Sequence, residues 1–322
     1  MYAKRYIRKW LYLPSYLIIN HATSQKAHIM NVYKIDEPAV ISFSGGRTSA
    51  YMLWKILKAY DGKLPENIKV CFANTGKEMP QTLDFVRDCS ERWGVDVVWL
   101  ERYARETTEI ERESKKNKYI YETRVVNYET AARNGEPFRA LVKARRYAPN
   151  PVARFCTAEL KVRAISCYLE EVCGFEKPYA AFLGIRGDER RRAAKMLGTL
   201  DEGQERLLPL YREGIIAMDI SEFWKAQDFD LQLPNNNGVT DWGNCDLCFL
   251  KGYGKKQSII REKPELADWW IELEQELSEE VGKGAYFRAD QPSYKEMKRL
   301  ALEQTSLFEY EDDETIPCFC GD

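Results

Sequence analysis

The chain of 322 residues is 44% hydrophobic and 12% aromatic, so it can bury a substantial core and is not intrinsically disordered. Lysine and arginine (48) nearly balance aspartate and glutamate (50), and the net charge of −2 excludes a general electrostatic attraction to nucleic acid or membranes. Nine cysteines accompany only two histidines, which argues against a histidine-rich zinc site or a histidine-based catalytic triad.

The N-terminal region, residues 1–36, is predicted to be an extension of the folded protein. Its apolar stretch is interrupted by Pro14 and is too short to span a bilayer. No export signal with a small-residue cleavage site is evident, which predicts a cytoplasmic, reducing environment and no membrane association. Met30 precedes the first clear strand, which raises the hypothesis that residues 1–29 are an upstream start.

Strands and helices alternate in the next part of the chain. Buried-strand patterns and helical apolar spacing predict strand 39–43, helix 48–60, strand 68–73, helix 80–93 and strand 95–100. Such alternation predicts an α/β fold with a doubly wound, mostly parallel sheet and helices on both faces.

The middle and the end of the chain have a different character. Residues 102–150 are charged and weakly periodic, which predicts a solvated helix or a mobile lid, before helix 159–171 and strand 179–185 resume the α/β pattern. We therefore predict a nucleotide-binding domain over 37–215. Residues 216–322 are predicted to form a smaller, mainly helical subdomain that contains cysteines and a helix over 264–281.

The segment Ser42-Phe-Ser-Gly-Gly-Arg-Thr-Ser49 lies between the first strand and the first helix. Its glycines allow a sharp turn that presents backbone N–H groups, and the helix N-terminus that follows favours a phosphate. Hydroxyl groups and one guanidinium add further donors. The segment matches neither the Walker pattern nor Gly-x-Gly-x-x-Gly.

The segments Ser44–Ser49, Asn74-Thr-Gly-Lys-Glu78-Met-Pro80 and Gly184-Ile-Arg-Gly-Asp188-Glu189 resemble the phosphoadenosine phosphosulfate (PAPS) reductase family of the PP-loop, adenine nucleotide α-hydrolase-like superfamily. The resemblance implies that all three segments face one crevice that binds ATP or (phospho)adenylyl sulfate. It implies these nucleotide-binding residues: Ser42, Ser44, Gly45, Gly46, Arg47, Thr48, Ser49, Asn74, Thr75, Gly76, Glu78, Gly184 and Arg186.

Arg47 and Arg186 are also the predicted catalytic cations of this crevice. Many superfamily members carry Lys-Asp where this chain has Arg47-Thr48. Arg47 therefore keeps a basic group at the first position, whereas Thr48 lacks the acidic group that could assist Mg²⁺.

The cysteines form a second pattern. Cys156, the Cys245-x-x-Cys248 pair and the terminal Cys318-Phe-Cys320 resemble the iron–sulfur adenylyl-sulfate reductases, and Phe155 replaces one expected ligand. The resemblance implies a [4Fe-4S] cluster, or alternatively zinc, held by Cys156, Cys245, Cys248 and one terminal cysteine. We assign Cys318 to the metal and Cys320 to catalysis as a reactive thiol, although their roles could be exchanged.

Three functions are compatible with these patterns. The leading one is adenylation with release of pyrophosphate, coupled to sulfur transfer from a sulfur donor protein. The first alternative is reduction of (phospho)adenylyl sulfate to sulfite by Cys320, with a dithiol partner such as thioredoxin. The second is a non-catalytic nucleotide sensor or nucleic-acid-binding module with a structural metal. A nucleic-acid acceptor and a homo-oligomer stay open.

Overall fold

The computed structural model describes residues 31–109, 111, 118–197, 203–282 and 284–303. The predicted 1–36 extension falls mostly outside these ranges, as do Cys318 and Cys320. The described residues from Val32 onward belong to one compact unit.

A six-stranded sheet in the order β4-β3-β2-β1-β5-β6 forms the centre of this unit. All neighbouring strands pair in parallel except β3 and β4, which are antiparallel. This arrangement confirms the predicted mostly parallel α/β fold. The strands are β1 (Ala39–Ser42), β2 (Ile68–Ala73), β3 (Val97–Glu106), β4 (Tyr119–Val126), β5 (Tyr179–Leu183) and β6 (Gln204–Leu207).

Helices cover both faces of the sheet, and each face has its own hydrophobic cluster. On one face, α1 (Arg47–Ala59) and α2 (Pro80–Trp93) pack on side chains such as Ile41 and Phe72. Their buried residues recur every three or four positions, the spacing that places them on one side of a helix. On the other face, the alternate strand residues, such as Val40, contact a later helix.

That later helix, α4, is a continuous helical run that alternates between two geometries. Its α-helical turns are Phe155–Thr157 and Ala164–Cys167, and its π-helical turns are Ala158–Arg163 and Tyr168–Val172. The preceding helix, α3 (Glu136–Arg145), contacts β3.

The prediction of a solvated helix or lid over 102–150 is wrong for the described residues of this range, and most of its charged run 111–118 lies outside them. This region continues β3 to Glu106, returns as β4 and then forms α3. The outer strand β4 is half exposed, and its Glu122 and Arg124 form ion pairs at the surface. Charged residues are common on edge strands because they prevent pairing with other chains, and here they conceal the strand pattern.

The remaining helices follow β5. They are α5 (Arg190–Leu197), α6 (Pro209–Glu213), α7 (Ala217–Lys225), α8 (Tyr253–Glu262), α9 (Leu266–Val281) and α10 (Tyr294–Glu303). The largest hydrophobic cluster includes residues from both sides of position 215, and Trp270 of α9 packs on Phe138 of α3. The 37–215 and 216–322 domains stay a prediction. None of the helices in the described ranges combines the length and apolar character that a membrane crossing requires.

Two buried titratable side chains lie among α8, α9 and α10. Burial raises the pKa of Glu274 from 4.5 to about 7, although backbone N–H groups of Phe287 and Tyr294 donate to its carboxylate. Burial and the charge of Arg288 lower the pKa of Lys256 from 10.5 to about 8.

These shifts predict a pH-dependent stability. The unfolded chain loses the Glu274 proton near pH 4.5, whereas the folded chain keeps it to about pH 7, so stability falls as the pH rises through this window. Lys256 titrates above it. We expect a loss on the order of 2 kcal/mol in urea denaturation between about pH 5 and 8, and a smaller loss in Glu274→Gln. Equal pH slopes for both proteins would contradict this assignment.

Candidate functional site

The predicted phosphate loop lies at the carboxyl end of β1. Gly45 has φ of +78°, a left-handed conformation that glycine adopts easily. The backbone N–H of Ser44 donates to Ser49 Oγ at 3.2 Å, and the two serine hydroxyls lie 2.8 Å apart. Gly46 then caps α1 without a side chain of its own. The loop therefore turns tightly and presents backbone amides at the helix N-terminus.

A small cavity of about 50 Å³, here called the phosphate cavity, lies against this loop. Its lining includes loop residues 44–48 together with Thr82 of α2 and Arg186. The other lining residues come from a later part of the chain: Leu231, Gly238, Val239, Thr240, Gly243 and Asn244. The cavity is therefore enclosed between the loop and a segment far from it in sequence.

Arg47 lines this cavity and is almost fully buried. Its Nε and Nη2 donate to the carboxylate of Asp230 at 2.7 Å each, and Nη2 also donates to the Leu231 carbonyl. Its Nη1 is buried and has no hydrogen-bond partner among the described residues. Arg47 therefore anchors the later segment and places its positive charge beside the cavity.

Arg186 follows β5 and reaches the same cavity. Its Nη1 donates to Thr48 Oγ1 at 3.2 Å, and its Nε donates to Asp188 at 3.0 Å. The close approach depends on Gly184, where a Cβ atom would lie 3.1 Å from the Cα of Ser49. The structure thus brings the first and third predicted segments together.

A larger cavity of about 280 Å³, here called the crevice cavity, opens beyond the carboxyl ends of β1, β2 and β5. Strand order reverses between β1 and β5, and open α/β sheets bind ligands at such a switch point. Ser42 and Ser44, two of the predicted nucleotide-binding residues, line this cavity. Its other polar lining residues are Arg154, Thr157, Lys161, Gln204 and Arg206.

The second predicted segment forms a tight turn after β2. The Asn74 amide donates to Glu101 Oε1 at 2.6 Å and to the Ala132 carbonyl, and its oxygen accepts from the Gly76 N–H. Glu78 accepts hydrogen bonds from the backbone and hydroxyl of Thr75. These hydrogen bonds shape the turn, and the nucleotide-binding roles of its residues stay predictions.

Three predicted metal ligands, Cys156, Cys245 and Cys248, line a third cavity of about 20 Å³, here called the cysteine cavity. Burial raises the pKa of Cys156 to about 12, and it also raises the pKa of Cys245 and Cys248 above the ordinary range. Lys161 lies beside them. Burial alone would lower its pKa, but Glu78 and the three cysteines raise it.

The described residues contain no group of three or more His, Cys, Asp or Glu side chains arranged to hold a metal ion. Three thiols border one cavity, yet among the described residues they are not arranged as a set of metal ligands. Cys318 and Cys320 lie outside the described ranges. The cluster, the zinc alternative and the Mg²⁺ therefore stay predictions.

Sequence reasoning missed several residues that line these cavities. Asp230 and the segment 231–244, here called the wall, gave no recognisable signal. Their contact with the phosphate loop arises only when the chain folds. Arg154 and Lys161 flank Cys156, and that motif could have identified them. Gln204 and Arg206 alternate on β6, so both point toward the crevice cavity.

The fold and the cavities define an α/β protein with a mostly parallel sheet and a glycine-containing loop at the carboxyl end of its first strand. Residues 38–212 match the Phosphoadenosine phosphosulfate reductase domain. Because this match covers more than half of the chain, the protein belongs to the PAPS reductase family of the PP-loop superfamily.

Two relatives are similar to the chain, and neither of their names states a family or an activity. The chain is 32% identical over 218 residues to the Uncharacterized nin region protein ORF290 of Escherichia phage lambda, and the match covers 67% of each chain. It is 25% identical over 278 residues to the Uncharacterized protein MJ0066 of Methanocaldococcus jannaschii. That match covers 83% of this chain and 48% of the archaeal protein, so the chain spans about half of that relative.

Proposed function

We propose that this protein uses ATP to adenylate an acceptor, releases pyrophosphate and couples this activation to sulfur transfer. The observation that carries the proposal is the position of Ser44, which lines both the phosphate cavity and the crevice cavity. A nucleotide with its adenosine in the larger cavity and its outer phosphates in the smaller one would place its α-phosphate beside Ser44.

In the first step, an acceptor oxygen attacks the α-phosphorus. The bond between this phosphorus and the bridging oxygen breaks, and pyrophosphate leaves with the electron pair. Arg186 and the loop amides stabilise the charge that develops on the leaving group, and Arg47 adds its positive charge nearby. Positioning and electrostatics of this kind supply most of the catalysis in phosphoryl transfer.

In the second step, a sulfur nucleophile displaces AMP from the activated acceptor. Oxygen is exchanged for sulfur without net oxidation or reduction, and a sulfur donor protein is the partner that delivers the sulfur. Thr157 and Lys161 line both the crevice cavity and the cysteine cavity. These two shared lining residues support a role for the cysteines close to the activated acceptor.

A single-turnover experiment tests the adenylation step. We expect excess enzyme to convert ATP labelled at the α-phosphate to AMP and pyrophosphate, slowly with water as acceptor. Arg186→Ala is expected to slow the reaction about 100-fold, because a preorganised donor to the leaving group is lost. Arg191→Ala, on the exposed side of α5, is the matched control and should leave the rate unchanged. If ATP neither binds nor yields AMP, the proposal is wrong.

Reduction of (phospho)adenylyl sulfate is the second candidate. It is favoured by Thr157 and Lys161, which line both the crevice cavity and the cysteine cavity. A cysteine thiolate would attack sulfur, the nucleotide would leave, and a dithiol partner would release sulfite. The same assays separate the candidates: sulfite from adenylyl sulfate supports reduction. Binding of ATP without any turnover would support a nucleotide sensor.

A further inference from the structure

Asn244 connects two of the three cavities described above. It lines the phosphate cavity and also the cysteine cavity, and it directly precedes Cys245. Its φ of +58° places its backbone in the left-handed region, which is uncommon for residues other than glycine. Asparagine tolerates this conformation better than most residues, but such conformations also concentrate at ligand-binding positions.

The wall that contains Asn244 is held firmly against the phosphate loop. Asp230 and the Leu231 carbonyl bind Arg47 of the loop. At the other end, the Lys251 ammonium donates to the carbonyls of Asp241 at 2.6 Å and Gly243 at 2.8 Å. The segment is thus bound to the loop at its beginning, and hydrogen bonds within it hold the backbone next to Asn244.

The cavity opposite Asn244 has the character of an anion site. Arg47 has only about 5% of its surface exposed, and its Nη1 atom is buried with no hydrogen-bond partner among the described residues. Because this nitrogen is closed to solvent, Arg47 contributes positive charge to the cavity and not an accessible donor. Arg186 adds a second cation, so a phosphate group would be bound between two arginines and the wall.

Resting on the proposed function, we propose that Asn244 is a specificity-determining residue that donates its side-chain amide to the outer phosphates of the nucleotide. The wall lies beyond residue 212, where the family match ends. Recognition of these phosphates is therefore divided between the family's loop and a segment outside the matched region. The substrate class that this arrangement selects is a nucleotide with a terminal pyrophosphate.

Isothermal titration calorimetry with ATP, inorganic pyrophosphate and adenosine tests this inference. Asn244→Gly removes the amide and keeps the left-handed backbone, and a thermal unfolding curve that matches the wild type shows that the variant is folded. We expect its affinity for ATP and pyrophosphate to fall about 10- to 100-fold, the loss of one hydrogen bond to a charged group, with adenosine binding unchanged. Asn244→Asp should bind pyrophosphate more weakly still, because its carboxylate repels the ligand.

Asn237→Gly is the matched control, since Asn237 has φ of +49° in the same segment but is exposed and does not line the cavity. Its affinities should equal those of the wild type. If the wild type binds ATP and pyrophosphate and Asn244→Gly binds them equally well, the inference fails while the proposed function stands. If the wild type binds neither ligand, both fail.

Discussion

Asp246→Ala is expected to destabilise the protein by about 3–5 kcal/mol, the usual effect of removing one partner of a buried ion pair. The Asp246 carboxylate lies 2.8 Å from the Lys77 ammonium, and less than a tenth of either side chain is exposed. It also accepts a hydrogen bond from the Trp270 indole. The substitution leaves Lys77 charged in a buried place, beside the indole faces of Trp269 and Trp270 but without a carboxylate partner among the described residues.

Urea denaturation measures this effect, and the pair Lys298–Asp268 provides a matched control at an exposed site. Asp268→Ala should cost less than about 1 kcal/mol, because exposed ion pairs contribute little. A double variant, Lys77→Met with Asp246→Leu, should recover much of the lost stability, since no buried charge remains unpaired. Equal losses in Asp246→Ala and Asp268→Ala would contradict the interpretation.

Gly45→Ala is expected to abolish useful nucleotide binding. A Cβ atom at this position would lie 2.6 Å from Cγ2 of Thr82 and 3.0 Å from Cγ2 of Val86, in addition to the unfavourable left-handed backbone. The phosphate loop must then move, and its amides lose their alignment. Losing two or more hydrogen bonds to charged phosphates weakens ATP binding by at least about 100-fold, which calorimetry can measure.

Gly62→Ala separates this effect from the cost of the backbone conformation alone. Gly62 has φ of +86°, but a Cβ atom there would have no neighbour within 4 Å. We expect a loss of stability of about 1–2 kcal/mol, the cost of left-handed backbone for an L-residue, and unchanged ATP affinity. If Gly45→Ala binds ATP as Gly62→Ala does, the loop does not bind the nucleotide.

The parallel part of the sheet could be predicted from the sequence because each strand is buried and each helix is amphipathic. Strand 68–73 and helix 80–93 coincide with β2 and α2. The edge strand β4 could not be predicted from the sequence. It is half exposed and lacks the alternation of apolar and polar residues that marks a strand with one buried face. The additional length of β3 was missed for the same reason, because it pairs with β4 through charged residues.

The candidate site was predictable where local chemistry marks it. The glycines of the loop and the position of Arg186 after a strand indicated phosphate binding, and both line the phosphate cavity. Long-range partners left no such trace. Asp230 is 183 residues from Arg47 in sequence, and its role depends wholly on how the chain folds back. Sequence reasoning therefore assigned Arg47 a ligand-binding role and missed its structural role, which is to anchor the later segment through Asp230.

The π-helical turn Ala158–Arg163 in α4 has a consequence for the spacing of the motif around it. A π-helix joins residues five apart, whereas an α-helix joins residues four apart. Cys156 and Lys161 are five positions apart and line the same cavity. In a purely α-helical segment each residue rotates by roughly 100°, so five steps would direct the two side chains to different sides. The residue that the π-helical turn adds is therefore part of the motif from Cys156 to Lys161. An alignment with relatives should keep this residue and the five-position spacing.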